Sequence, residues 1–296
     1  MPNNRFSIVT RGGVALSGEH AGPAGGPKVI LLHGGGQTRH SWKSALRTFG
    51  AAGYRAIAYD ARGHGDSEWA PDADYSFHAL AHDLVDIAGD ARAPVALIGA
   101  SMGGITGIMA AGESLLGVAA LVLVDIVPTP STAGGTRIAR FMTAHTRGFA
   151  TLDEAADAVS AYYPDRPRPN DVSGLKRNLR LHEDGRLYWH WDPRLFGDGR
   201  TAEPPDVASW AKDLAPRITA PTLLLRGERS DVVDDASVAE TRKLMPKIEV
   251  VSIGGAGHML VGDRNDVFNA HALSFVARHL PVARDERPDP NVAMAK

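Results

Sequence analysis

The chain has 296 residues, 44% of them hydrophobic and 22% charged, a composition that suits one large globular domain or two small ones. A formal net charge of −2, with no local cluster of Lys and Arg, argues against a nucleic-acid partner. Cysteine is absent, which excludes disulfides, thiolate metal sites and a cysteine nucleophile. The start, MPNNRFSIVTRGG, lacks the basic start and following apolar run of a secretory signal, and apolar stretches such as VAALVLV fall far short of the ~20 residues a membrane span requires. The expectation is a cytoplasmic protein without a membrane partner.

FSIVT and VALSGEH read as a hairpin turning at residues 11–13. The runs KVILLHG (28–34), RAIAYD (55–60), VALIGA (95–100) and VAALVLVD (118–125) are apolar throughout instead of alternating. Strands covered on both faces of a parallel sheet have that pattern. Between them, residues 39–53 and 76–90 carry helical spacing, the first stopping at Gly53. After Asp125 the alternation breaks. Helical or irregular segments follow from Thr136 to about Leu214, interrupted by the proline-rich YYPDRPRPND and the aromatic RLYWHWDPRLF. Strand character returns in APTLLLRG and KIEVVSIGG, separated by a helical stretch at 236–244, and a last amphipathic helix spans 266–279. The tail PVARDERPDPNVAMAK has little to bury. The expected organisation is an α/β core at 1–126 and 215–280, a helical insertion at 127–214 and a tail at 281–296.

Gly99-Ala100-Ser101-Met102-Gly103 matches G-x-S-x-G directly after a predicted strand and before a predicted helix. In such an elbow the glycines let strand and helix approach closely, and the strained turn exposes the hydroxyl at the sheet's carboxyl edge. A serine nucleophile needs a base. Of the twelve histidines, His258 in IGGAGHMLVGD follows the last predicted strand through a short glycine-rich loop and projects at the same edge. The base needs an acceptor that fixes its tautomer, and Asp231 in LLLRGERSDVVDD lies just past the preceding strand. Its rivals are Asp234 and Asp235, which suit a helix start, and Asp125 at the end of an earlier strand. Backbone N–H groups of Met102 and Gly35, with Gly36 as the neighbouring choice, are the expected oxyanion donors. Glycines in HGGG suit a loop whose backbone must touch substrate. Trp42, with Trp189 and Trp191 of YWHWDP, either lines an apolar substrate pocket or packs the insertion onto the core. The mechanism requires neither a metal nor an organic cofactor, and the partner is a small-molecule substrate.

These pieces, LLHGGG, YDARGHGDS, GASMGG, LLLRGERSD and GAGH in that order, resemble the α/β-hydrolase-fold enzymes over about residues 6–280. The resemblance implies a mostly parallel central sheet flanked by helices, a mainly helical cap inserted between two strands, and a triad in the order Ser101, Asp231, His258. It also implies that His64 and Asp66, in DARGHGDS, are structural. Epoxide hydrolases and dehalogenases of this fold are similar around HGGGQTRHSW but use an aspartate where this chain has Ser101. Serine with an oxyanion hole suits attack at a carbonyl, so a carboxylic ester, lactone or thioester is the expected substrate. The alternatives within the fold are a carbon–carbon bond hydrolase of the meta-cleavage type and a cofactor-free haloperoxidase. A non-catalytic pocket protein is the alternative of another class.

Overall fold

The apolar runs form strands where the sequence places them. The computed structural model describes residues 4–163, 168–196, 206–255, 257 and 265–283. Its strands are β1 (Arg5–Val9), β2 (Ala15–Ala21), β3 (Lys28–Leu32), β4 (Arg55–Tyr59), β5 (Val95–Ala100), β6 (Val118–Val124), β7 (Leu179–Leu181), β8 (Leu187–Trp189), β9 (Thr222–Gly227) and β10 (Glu249–Ile253). Eight of them make one sheet in the order β1-β2-β4-β3-β5-β6-β9-β10. Pairing is antiparallel for β1–β2 and β2–β4 and parallel for every other pair. The β1–β2 hairpin turns through Gly13 at φ +78°.

Alternate residues of the central strands feed two cores. Helices α2 (Phe77–Ala88) and α3 (Met102–Gly112) cover one face, where Ile30, Leu97, Leu121, Leu84 and Ile108 pack together. Helices α1 (Lys43–Ala51) and α8 (Asn265–His279) cover the other, with Leu31, Ile98, Val122, Phe49 and Phe275. Burial on both faces is why these strands read as unbroken apolar runs. Helix α7 (Asp235–Leu244) joins β9 to β10 and is capped by Asp234, whose carboxylate accepts the Ser237 N–H.

Between β6 and β9 the chain forms α4 (Thr132–Thr143), α5 (Leu152–Tyr162), the β7–β8 hairpin and α6 (Ala208–Leu214). This insertion has its own small core of Met142, Phe149, Leu179, Trp189 and Trp191. Helix α6 instead joins the main core through Ala211 and Leu214. The hairpin departs from the expected helical or irregular structure. Leu179, Leu181, Leu187 and Trp189 alternate around Asp184-Gly185, and Gly185 adopts φ +76°, as a tight hairpin turn needs.

Candidate active site

Register places the site. Leu32 of β3 lies opposite Gly99 of β5, and Ala100 opposite Val124 of β6, so adjacent strands end at one level. The loops that follow β3, β5, β6 and β9 therefore share the sheet's carboxyl edge. Ser101 stands there at φ +47°, a left-handed conformation that a non-glycine residue holds only under constraint. Its N–H donates to the Val124 carbonyl at 3.3 Å, and α3 begins at the next residue. The elbow is close-packed. A Cβ on Gly103 would lie 2.3 Å from the Leu32 carbonyl oxygen, and one on Gly99 would lie 2.4 Å from that of Gly103. Glycine at both positions is what lets α3 start against the ends of β3 and β5.

The loop after β3 passes beside the serine, with Gly34 so close that its Cβ would lie 3.4 Å from that of Ser101. His33, 2% exposed, fixes this loop. Its Nε2 accepts the Ala61 N–H at 2.9 Å, so the other nitrogen carries the proton and donates to the Gly34 carbonyl at 2.8 Å. That carbonyl also accepts the Gln37 N–H at 3.1 Å. The Gly34 carbonyl and the Gly35 N–H belong to one planar peptide, so gripping the oxygen aims the N–H. Burial lowers the pKa of His33, which keeps the ring neutral.

Ser101, Met102 and Gly35 line one cavity of about 230 Å3. Its walls are apolar, with Ile105 and Ile126 from the core and Ile138, Leu195, Val207 and Val232 beyond. Among the described residues its polar lining is Ser101, Ser76, Tyr75 and His64, and no carboxylate, lysine or arginine contributes. The expected oxyanion donors and the serine are thus brought together. The expected aromatic lining is not. Trp42 is fully buried on the α1–α8 face of the sheet, its ring 5.7 Å from that of Phe268. Trp189 and Trp191 stack at 4.8 Å inside the insertion, and Gly36 lies under Met142 Sδ and the Trp191 ring. None of these four residues is in the cavity lining.

His258 lies outside the described residues, as do 284–296 of the tail. The two acids are both described. Asp125, fully buried at φ +49°, accepts the Gly227 N–H at 2.8 Å on Oδ1 and the Ser230 hydroxyl on Oδ2. Asp231 takes a two-pronged ion pair from Arg137 of α4, at 2.7 and 2.9 Å. Neither carboxylate is limited to these partners. Asp234 caps α7, and Asp235 pairs with Arg226 at 2.6 Å.

The DARGHGDS segment forms a buried polar lattice beneath the loop. Asp60 is fully buried, accepting the Arg39 and Asp66 N–H groups and the Arg39 guanidinium. Arg62 and Asp83 pair through two bonds of 2.7 Å. Asp66 pairs with Arg39 at 2.8 Å and with Arg180 of β7 at 3.0 Å. His64 also touches the cavity. Sequence reading missed three residues that the insertion brings to the site: Arg137, Met142 and His190. None of the three carries a local sequence signal for its place; His190 follows the end of β8, its ring 5.3 Å from that of Trp191. Among the described residues no group of three or more side chains is placed to hold a metal ion, and no helix is long and apolar enough to cross a membrane.

Comparison with known proteins agrees with this architecture. The chain is 31% identical over 252 residues to esterase Rv0045c of Mycobacterium tuberculosis, covering 80% of this chain and 78% of the esterase. It is 28% identical to the mouse (Mus musculus) sn-1-specific diacylglycerol lipase ABHD11, covering 85% of this chain and 81% of the lipase. The crystal structure of E-2-(acetamidomethylene)succinate hydrolase superposes with a TM-score of 0.78 over 92% of this chain and 99% of that one, at 22% identity, a likeness of fold alone. Residues 29–271 match the model of the alpha/beta hydrolase family, and the chain belongs to that family.

Proposed function

We propose that the protein is a serine hydrolase that cleaves a carboxylic ester of an uncharged, apolar substrate through an acyl-enzyme on Ser101. The observation that carries this reading is the shared cavity of Ser101, Met102 and Gly35 at a left-handed elbow, walled by apolar side chains. Ser101 Oγ attacks the acyl carbon while His258 takes its proton, and Asp231 holds the imidazole in the required tautomer. Backbone N–H groups of Gly35 and Met102 receive the developing oxyanion. His258 returns the proton to the leaving alcohol, then activates water to release the acid. The esterase and lipase among the relatives support the ester over the carbon–carbon alternative. Among the described residues the cavity lining is mostly apolar and uncharged, which supports an apolar acyl or alkyl group, because a charge moved there loses its hydration.

A fluorophosphonate probe tests the reading. Wild-type protein is expected to be labelled on the peptide containing GASMGG, and to hydrolyse p-nitrophenyl esters. Ser101→Ala is expected to abolish labelling and to lower hydrolysis by about 10⁴-fold or more at unchanged thermal stability. Absence of labelling, or a loss of only a few-fold in the variant, overturns the nucleophile and with it the function.

A further inference from the structure

We propose that His190 of the insertion and His64 of the core are positioning residues for the oxyanion hole, clamping the Gly36 peptide groups from two sides. The proposal rests on the reading of Gly35 as an oxyanion donor. Glycines at 34–36 let the backbone reach the substrate. Gly36 in particular adopts φ +71°, and a Cβ there would lie 2.7 Å from Met142 Sδ. A run of three glycines is also the most freely rotating backbone available, which is poor for a catalytic donor that must not reorient during reaction.

The two histidines supply the missing rigidity. Gly36 N–H donates to His64 Nε2 at 3.2 Å, which puts the His64 proton on Nδ1, where it donates to the Arg62 carbonyl at 3.1 Å. Gly65 N–H donates to His190 Nδ1 at 2.7 Å, which puts the His190 proton on Nε2, where it donates to the Gly36 carbonyl at 3.2 Å. Both rings are buried, His64 fully and His190 at 1% exposure. With His33 on the preceding peptide, the peptide planes on both sides of the Gly35 Cα are tied down, as is the one after Gly36. One of the ties comes from the insertion, so docking of that element and readiness of the hole are coupled.

Asparagine and glutamine separate the clamp from mere packing. An amide at the δ position of residue 190 keeps the Gly65 bond and abandons Gly36; an amide at the ε position keeps Gly36. At residue 64, glutamine likewise keeps the Gly36 bond and asparagine keeps only the Arg62 bond. The readout is labelling of Ser101 by a fluorophosphonate, split into probe affinity and maximal labelling rate, beside a thermal melt. His190→Asn and His64→Asn are expected to lower the maximal rate at least about tenfold with probe affinity within about threefold, because a mis-aimed donor costs up to about 10²–10³. His190→Gln and His64→Gln are expected to retain most of the rate. Should His190→Asn not fold, the pair at residue 64 is read in the same way. Equal rates for Asn and Gln variants in a labelled wild-type background overturn the clamp alone. A wild-type protein that does not label overturns the serine-hydrolase reading, and the clamp with it.

Discussion

Acid should unfold this protein through its buried imidazoles, and His190 gives the effect a size. Burial holds its pKa at about 4, while a histidine in the unfolded chain titrates near ~6.5. The folded ring must remain neutral, because its Nδ1 accepts the Gly65 N–H. Below ~6.5 the unfolded chain therefore binds a proton that the native state refuses, and stability falls as pH drops. At about 1.4 kcal/mol per pH unit, the loss from this one residue is about 2 kcal/mol at pH 5 and levels near 3 kcal/mol below pH 4. Burial also pushes His33 and His64 down, His64 with help from its two imidazole neighbours, so both add to the loss in the same direction. Urea unfolding at pH 7 and pH 5 measures the sum for the wild-type chain. His190→Gln, which cannot titrate, should narrow the difference between the two pH values by about 2 kcal/mol. Equal pH dependence in wild type and variant would refute the reasoning, since His190 would then take up its proton while folded.

Gly103→Ala should destabilise the fold by about 1–3 kcal/mol or more and abolish Ser101 labelling, because its Cβ meets backbone at the Leu32 carbonyl; a normal melt with full labelling would show that α3 can move aside. Asp231→Asn should lower ester hydrolysis by about 10⁴-fold with little change in melting temperature. Asp125→Asn should cost mainly stability, since the carboxylate ties Gly227 and Ser230 to the end of β6; if it costs more activity than Asp231→Asn at unaltered stability, the triad acid follows β6. Ile138→Phe should shift the preferred p-nitrophenyl ester toward shorter acyl chains, and an unchanged chain-length profile would place the substrate outside this cavity.

The core strands were legible because burial on both faces writes itself as unbroken apolar runs, and the elbow because its close approaches allow only glycine at 99 and 103. The β7–β8 hairpin was legible in principle, in the alternation around Asp184-Gly185, but the dense aromatics next to it dominated the reading. Trp42 could not be placed from sequence. Nothing local distinguishes a tryptophan that faces a cavity from one that packs on Phe268, because the partner lies more than two hundred residues away. The same holds for the pairing of Arg137 with Asp231, which depends on where the insertion folds back.

What the insertion contributes changes how the site should be regarded. Met142 lies over Gly35 and Gly36, His190 holds the Gly36 carbonyl, and Arg137 grips Asp231. Ile138, the residue after Arg137 on α4, lines the cavity. One element thus carries part of the substrate wall, a tie to the oxyanion loop and a cation on the acid of the proposed triad. A substitution at Ile138 to alter substrate range acts at the residue next to the Arg137–Asp231 pair. A tilt of that helix large enough to admit a bulkier acyl group also moves the guanidinium. Substrate range and catalytic rate are therefore expected to vary together when α4 is changed, and separately when the core-side wall at Ile105 is changed.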